Sequence, residues 1–248
     1  MSTPTSCLGA EAVVTFVAEE LVRRRVITSW IAADTVDRVV TRCASCRGNK
    51  PIANKCTGWR IRFGRPLTSL RFQPVNVEGH DVEVRLECNL DYSSRHPGKK
   101  REWTAAPMCA CTVAIELYEP GTDNLLTRQH VDLANLGQAG TVWHLQLGGK
   151  PAEGTKPDTL WLKVPRWPVA PTDFILIVEF VLFSFFPGVW RGVASSSPWR
   201  DYIKTAEHLV LTHYRERLNT YLNVSTTASS WLAAQENDAA VWNPRPAK

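Results

Sequence analysis

The chain has 248 residues, 44% of them hydrophobic, and a formal net charge of +5. That is long enough to bury a sizeable core without disulfides, and the composition excludes a disordered, collagenous or membrane-embedded chain. Seven cysteines are an odd number, and no basic cluster leads an apolar core at the N-terminus. Both points favour reduced thiols and a cytoplasmic protein over a secreted disulfide framework.

Residues 1–9 read as an irregular start. From Ala10 to Ile27, Val13, Val14, Phe16, Val17, Leu21, Val22 and Val26 recur at helical spacing, with Glu19, Glu20 and Arg23 to Arg25 on the polar side. A second short helix is expected from Ala32 to Arg42, with Val36, Val39 and Val40 inward.

From Arg38 to Asn76 there is no acidic residue. The run carries Arg38, Arg42, Arg47, Lys50, Lys55, Arg60, Arg62, Arg65 and Arg71, interleaved with Trp59, Phe63 and Phe72. Uncompensated cations next to aromatic rings are what a surface that tracks phosphates and stacks on bases requires. A basic face that meets an acidic protein, or acidic residues of the same chain, has the same composition. Within this run Cys43, Cys46 and Cys56 offer a CxxC and a third thiol, the beginning of a tetrahedral zinc site. A fourth ligand is missing locally; His80 or Cys88 would have to supply it. Unligated thiols are the competing reading.

Strands are expected at Trp59 to Phe63 and Ser69 to Phe72. In residues 81–92, Val82, Val84, Leu86, Cys88, Leu90 and Tyr92 alternate with Asp81, Glu83, Arg85, Glu87, Asn89 and Asp91. That is period two, with one face buried and one wet. The acids of the wet face could bind a metal or simply be solvated. Arg95, His96, Lys99, Lys100 and Arg101 surround a Pro97-Gly98 turn and form a second basic patch. Further strands are expected at Pro107 to Tyr118, Leu125 to Leu133, Thr141 to Leu147 and Thr159 to Val164, with a turn at Pro120 to Asn124. Gly148-Gly149-Lys150 lacks the phosphate-loop pattern and receives no nucleotide role.

Phe174 to Phe186 is almost entirely apolar. It is too short for the ~20 residues that cross a bilayer. With Asp173 as N-cap and Pro187-Gly188 at its end, it reads as a helix that is apolar all round and therefore buried. Glu179 in its middle needs a partner: an Arg or Trp N–H in a structural pair, or a role as a catalytic or metal-binding carboxylate. Ser197 and Pro198 open a long amphipathic helix reaching Leu222.

The fold class expected is α+β: a central antiparallel sheet of about six or seven strands, an N-terminal helical pair, and C-terminal helices packed on the sheet. Residues 1–57 form an N-terminal helical segment with a basic, Cys-containing loop. Residues 58–248 form the main domain, with the sheet in 58–164 and the helices in 173–222.

The function expected is that of a non-catalytic nucleic-acid-binding protein or a subunit of a nucleoprotein assembly. Its contacts would come from Arg42, Arg47, Lys50, Lys55, Trp59, Arg60, Arg62, Arg65, Arg95, Lys99, Lys100 and Arg101. One alternative is an interaction subunit docking an acidic protein partner. The other is a metal-dependent hydrolase or nuclease using Glu179, His144, His208 or the acids of residues 81–87. No membrane partner and no cofactor are expected, with zinc at Cys43, Cys46 and Cys56 left open.

Overall fold

The period-two alternation of residues 81–92 is realised as the longest strand. The computed structural model describes residues 7–27, 40–42, 58–63, 70–93, 108–133, 143–148 and 167–224. They hold helix α1 (Cys7–Arg23), strands β1 (Val40–Arg42), β2 (Gly58–Phe63), β3 (Leu70–Arg71), β4 (Val75–Val77), β5 (His80–Ser93), β6 (Met108–Tyr118), β7 (Leu125–Leu133), β8 (Trp143–Leu147) and β9 (Trp167–Pro168), and helices α2 (Phe174–Phe185), α3 (Pro187–Ala194) and α4 (Ser197–Val224). The fold is α+β, as expected. Every strand pair is antiparallel, in the order β1-β2-β5-β6-β7-β8-β9, with β3 and β4 also pairing with β5.

One sheet face is apolar. Val82, Val84, Leu86, Cys88 and Leu90 of β5 are buried beside Cys111, Val113 and Ile115 of β6, and Leu133 and Trp143 extend the layer. Against it pack Val13, Val14, Val17 and Leu21 of α1, Phe174, Ile175, Val178, Val181 and Leu182 of α2, Val193 of α3, and Trp199, Ala206 and Val210 of α4. Each such side chain removed from water contributes ~1.5–3 kcal/mol, set against the entropy of ordering it.

Local chemistry fixes the connections. Glu78 and Gly79 both have positive φ, 50° and 90°, which suits the tight turn joining β4 to β5. Asn76 Oδ1 accepts from Gly79 N there at 3.0 Å. At the end of α1, Arg25 adopts φ 57° while Val26 N donates to Leu21 O at 2.9 Å, so an arginine fills the left-handed position that glycine usually takes. Asp173 caps α2 by accepting from Leu176 N at 3.1 Å.

Two expectations change, and one further helix stands where none was expected. Val40–Arg42, read as the end of a second helix, is a strand that pairs with β2; the rest of that helix lies outside the described residues. The division expected at residue 57 lies outside the described residues, in the connection from β1 to β2. Helix α2 ends at Phe185, just before Pro187-Gly188 as expected, and the same proline opens the further helix α3, because at the first helical position it forfeits no hydrogen bond. Helix α2 is not buried all round: Phe180 is 50% and Phe183 58% exposed. The strand expected at Thr159 to Val164 lies outside the described residues. Among the described residues no helix is long and apolar enough to cross a membrane.

Candidate nucleic-acid interface

The β1–β2 ribbon ends the sheet and carries part of the acid-free run. Its register sets Arg42 directly across from Trp59, and Arg60 across from Thr41. On the other side of β2, Arg60 pairs with Asp91 and Arg62 with Asn89 of β5. Arg42 and Trp59 thus share one register position of the ribbon. Arg71 of β3, on the same side of β5, is half exposed, with Asp123 at 4.0 Å. Arg47, Lys50, Lys55, Arg65, Arg95, Lys99, Lys100 and Arg101 lie outside the described residues, as do Cys43, Cys46 and Cys56.

Phe72 is not part of such a surface. It is fully buried, stacked on Phe186 with ring centroids 5.7 Å apart, and bridged through its backbone to Ile27. Cys88 is likewise a packed core thiol. Burial pushes it and Cys111 well above the ordinary cysteine range, which keeps both protonated.

The sheet face turned away from the helices is polar, yet much of it is buried, contrary to the wet face expected. Arg85 is 2% exposed. Its Nε donates to Glu83 at 2.5 Å, Nη1 to Asp123 at 2.7 Å and Nη2 to Thr122 O at 2.6 Å, and its guanidinium lies 3.9 Å over the Tyr118 ring. Burial works against this charge, but the bonds to Asp123 and Glu83 outweigh it and hold its pKa above the usual value. Arg128 Nε donates to Glu116 at 2.9 Å, and Arg128 Nη2 stands 3.7 Å from Glu87. Tyr118 also donates to Glu116, at 2.8 Å. Asp81 accepts from Asn76 at 2.8 Å. Asp81, Glu83 and Glu87 of β5 are thus engaged by arginines or a turn amide. Among the described residues, no group of three His, Cys, Asp or Glu side chains is placed to hold a metal.

His144, in β8, is fully buried on this polar face. Its Nε2 is 3.9 Å from Asp132 Oδ2, and His130 Nε2 is 3.0 Å from the same oxygen. His130 Nδ1 faces Gly148 O at 3.1 Å and Arg128 Nη1 at 3.1 Å. Burial opposes the Asp132 charge, but His130, Thr112 and His144 together keep its carboxyl below the ordinary range. Both ring nitrogens of His130 are engaged, so its partners fix the orientation of the ring.

The remaining catalytic candidates stand apart. Glu179 in α2 accepts from Trp190 Nε1 at 3.2 Å, the structural pairing that its place in an apolar run calls for. His208 is exposed on α4, with Nδ1 3.1 Å from Thr212 Oγ1. Glu179 and His208 belong to the helical layer and His144 to the far face of the sheet.

Reading the sequence alone passed over Arg128, His130 and Asp132. The signal was present: they alternate along β7 with Gln129, Val131 and Leu133. It also passed over the exposed pair Phe180 and Phe183, which the apolar run concealed. Comparison with protein-family models, curated proteins and solved structures finds no match for the chain.

Proposed function

We propose that this protein binds nucleic acid without acting on it chemically, alone or as a subunit of a nucleoprotein assembly. The observation that carries the reading is the acid-free run from Arg38 to Asn76. Part of it forms a two-stranded ribbon at the end of the sheet, with Arg42 across from Trp59 and Arg60 and Arg62 on the adjoining register positions. Guanidinium groups supply sequence-independent phosphate contacts, and an indole beside them supplies stacking.

The test is binding of labelled oligonucleotides by anisotropy across a salt series, comparing wild type with the double variant Arg60→Gln/Arg62→Gln. Wild type should weaken log-linearly with salt. The variant should lose affinity and shed roughly 1.4–1.8 from the slope, ~0.7–0.9 for each phosphate contact removed. Absence of binding even at low salt would overturn the reading and direct attention to an acidic protein partner.

A further inference from the structure

His130 of β7 is held by neighbours that make opposite demands on its ring. The imidazole is 6% exposed on the polar face of the sheet. Its Nε2 lies 3.0 Å from Asp132 Oδ2. Its Nδ1 lies 3.1 Å from Arg128 Nη1 and 3.1 Å from Gly148 O. A guanidinium nitrogen only donates and a carbonyl oxygen only accepts. Nδ1 can therefore satisfy one of these two at a time, and its own proton decides which.

The other ring nitrogen fixes the tautomer. The Asp132 carboxyl stays below its ordinary range, so near neutral pH it is an ionised acceptor. Nε2 then carries a proton in both charge states of the ring. In the neutral ring Nδ1 is bare and accepts from Arg128 Nη1, and Gly148 O is left to the longer approach of the same Nη1 at 3.5 Å. A second proton turns Nδ1 into a donor to Gly148 O, in a charge-assisted bond. Arg128 Nη1 then faces an N–H on a second cation and must move off. Its Nη2 stands 3.7 Å from Glu87, beyond hydrogen-bond reach, so the guanidinium can close that gap while Nε keeps Glu116 at 2.9 Å.

We infer that His130 is a protonation-operated latch: the neutral ring holds Arg128, and the protonated ring releases Arg128 and fastens the end of β8 through the carbonyl of Gly148. Gly148 follows β8 with φ 72°, and its N–H already donates to Arg128 O at 2.7 Å. The latch thus adds a second bond between β7 and the residue just past β8. Among the described residues, the charged or titratable groups around the ring are Arg128 and Asp132 of β7, Glu116 of β6, Glu87 of β5, and His144 of β8, whose Nε2 is 3.9 Å from the same Asp132 oxygen. Ala114 and Gln146, directly across from His130 on the two flanking strands, carry no charge. Three carboxylates therefore surround one guanidinium and two imidazoles, and the added proton meets compensation. Histidine is the side chain that ordinarily changes charge between about pH 5 and pH 8. Asp173, pushed up to about 6, lies on the other face of the sheet, so the readout has to be local to the ring.

The experiment is an NMR titration of the whole isotope-labelled chain from about pH 5 to about pH 8, following the ring nitrogens of His130, the carbonyl carbon of Gly148 and Nε of Arg128. At the alkaline end the ring should show a protonated Nε2 and a bare Nδ1. On acidification Nδ1 should gain its proton, and the Gly148 and Arg128 signals should shift with the same midpoint. Both shifts should vanish in His130→Gln and persist in His144→Gln. A ring that keeps one protonation state throughout overturns the latch, and so does a neutral ring with its proton on Nδ1. Gly148 and Arg128 signals that stay still, that follow the midpoint of His144 or Asp173, or that still titrate in His130→Gln also overturn it. Should that variant fail to fold, the shared midpoint in the wild-type protein decides the matter alone.

Discussion

Arg85 makes four contacts at once, and none is replaceable by water because the residue is buried. Truncation would leave Glu83 buried without its cation. Arg85→Leu should therefore destabilise by about 3–5 kcal/mol, the range for breaking one half of a buried pair. The check is urea unfolding, where a fall in midpoint at constant slope places the loss in the folded state. Combining it with Glu83→Leu should recover much of the loss, since an apolar pair carries no desolvation penalty. Arg25 is the opposite case. It occupies a left-handed conformation at the end of α1 with no ion pair among the described residues to hold it there. Arg25→Gly should stabilise by about 0.5–1 kcal/mol, because glycine takes that conformation without a Cβ clash.

At the scale of elements, what could be read ahead depended on length and on which neighbour decided the outcome. Strand β5 and helix α4 were legible because many residues repeat one period, and the Ser197-Pro198 pair marks a start that needs only local chemistry. Strands β4 and β9 have three and two residues and exist through their partners, so no periodicity could announce them. Helix α3 was hidden by reading Pro187 as a stop, when proline is equally at home at the first helical position. The alternation in β5 separated the two faces correctly, but it cannot say what covers each one. That is why Glu83 and Arg85 were expected in water. Phe72 was assigned to a stacking surface because its burial depends on Ile27 and Phe186, both distant in sequence. The packing of α3 gives a paired test. A methyl group added at Gly188 meets nothing, whereas one added at Gly192 meets the Arg24 guanidinium. Gly188→Ala should stabilise by about 0.5–1 kcal/mol through helix propensity. Gly192→Ala should gain less than Gly188→Ala, since the Arg24 guanidinium must swing aside and loosen its bond to Gly192 O. Thermal melts should therefore rank Gly188→Ala above Gly192→Ala.

Across the whole molecule, the half-buried Asp132 and the buried Asp173, on opposite faces of the sheet, set opposite limits on stability with pH. Asp132 lies on the polar face. Its carboxyl is held below the ordinary 3.8 against the effect of burial, so its contribution is present above that value and is lost as pH falls through the folded-state pKa. Glu20, held low by Arg23 and Arg24 despite burial, acts in the same direction. Asp173 lies on the apolar face, fully buried beneath α2 near Cys88 and Cys111. Burial pushes it up to about 6 although Leu176 and Ile175 donate to it. A raised carboxyl favours the protonated folded state, so this contribution is complete below 3.8 and is lost as pH rises through about 6. Stability should therefore be greatest on the acid side of neutrality and decline by about 2–3 kcal/mol on reaching about pH 8. Asp173→Asn separates the two effects. Asparagine caps a helix about as well as aspartate and has no charge to bury. The variant should match wild type near pH 4, exceed it by that margin at about pH 8, and keep the acid-side loss that Asp132 governs. Denaturant unfolding at a series of pH values reads all three. A variant weaker than wild type at alkaline pH would mean that the ionised cap is worth more to α2 than its burial costs.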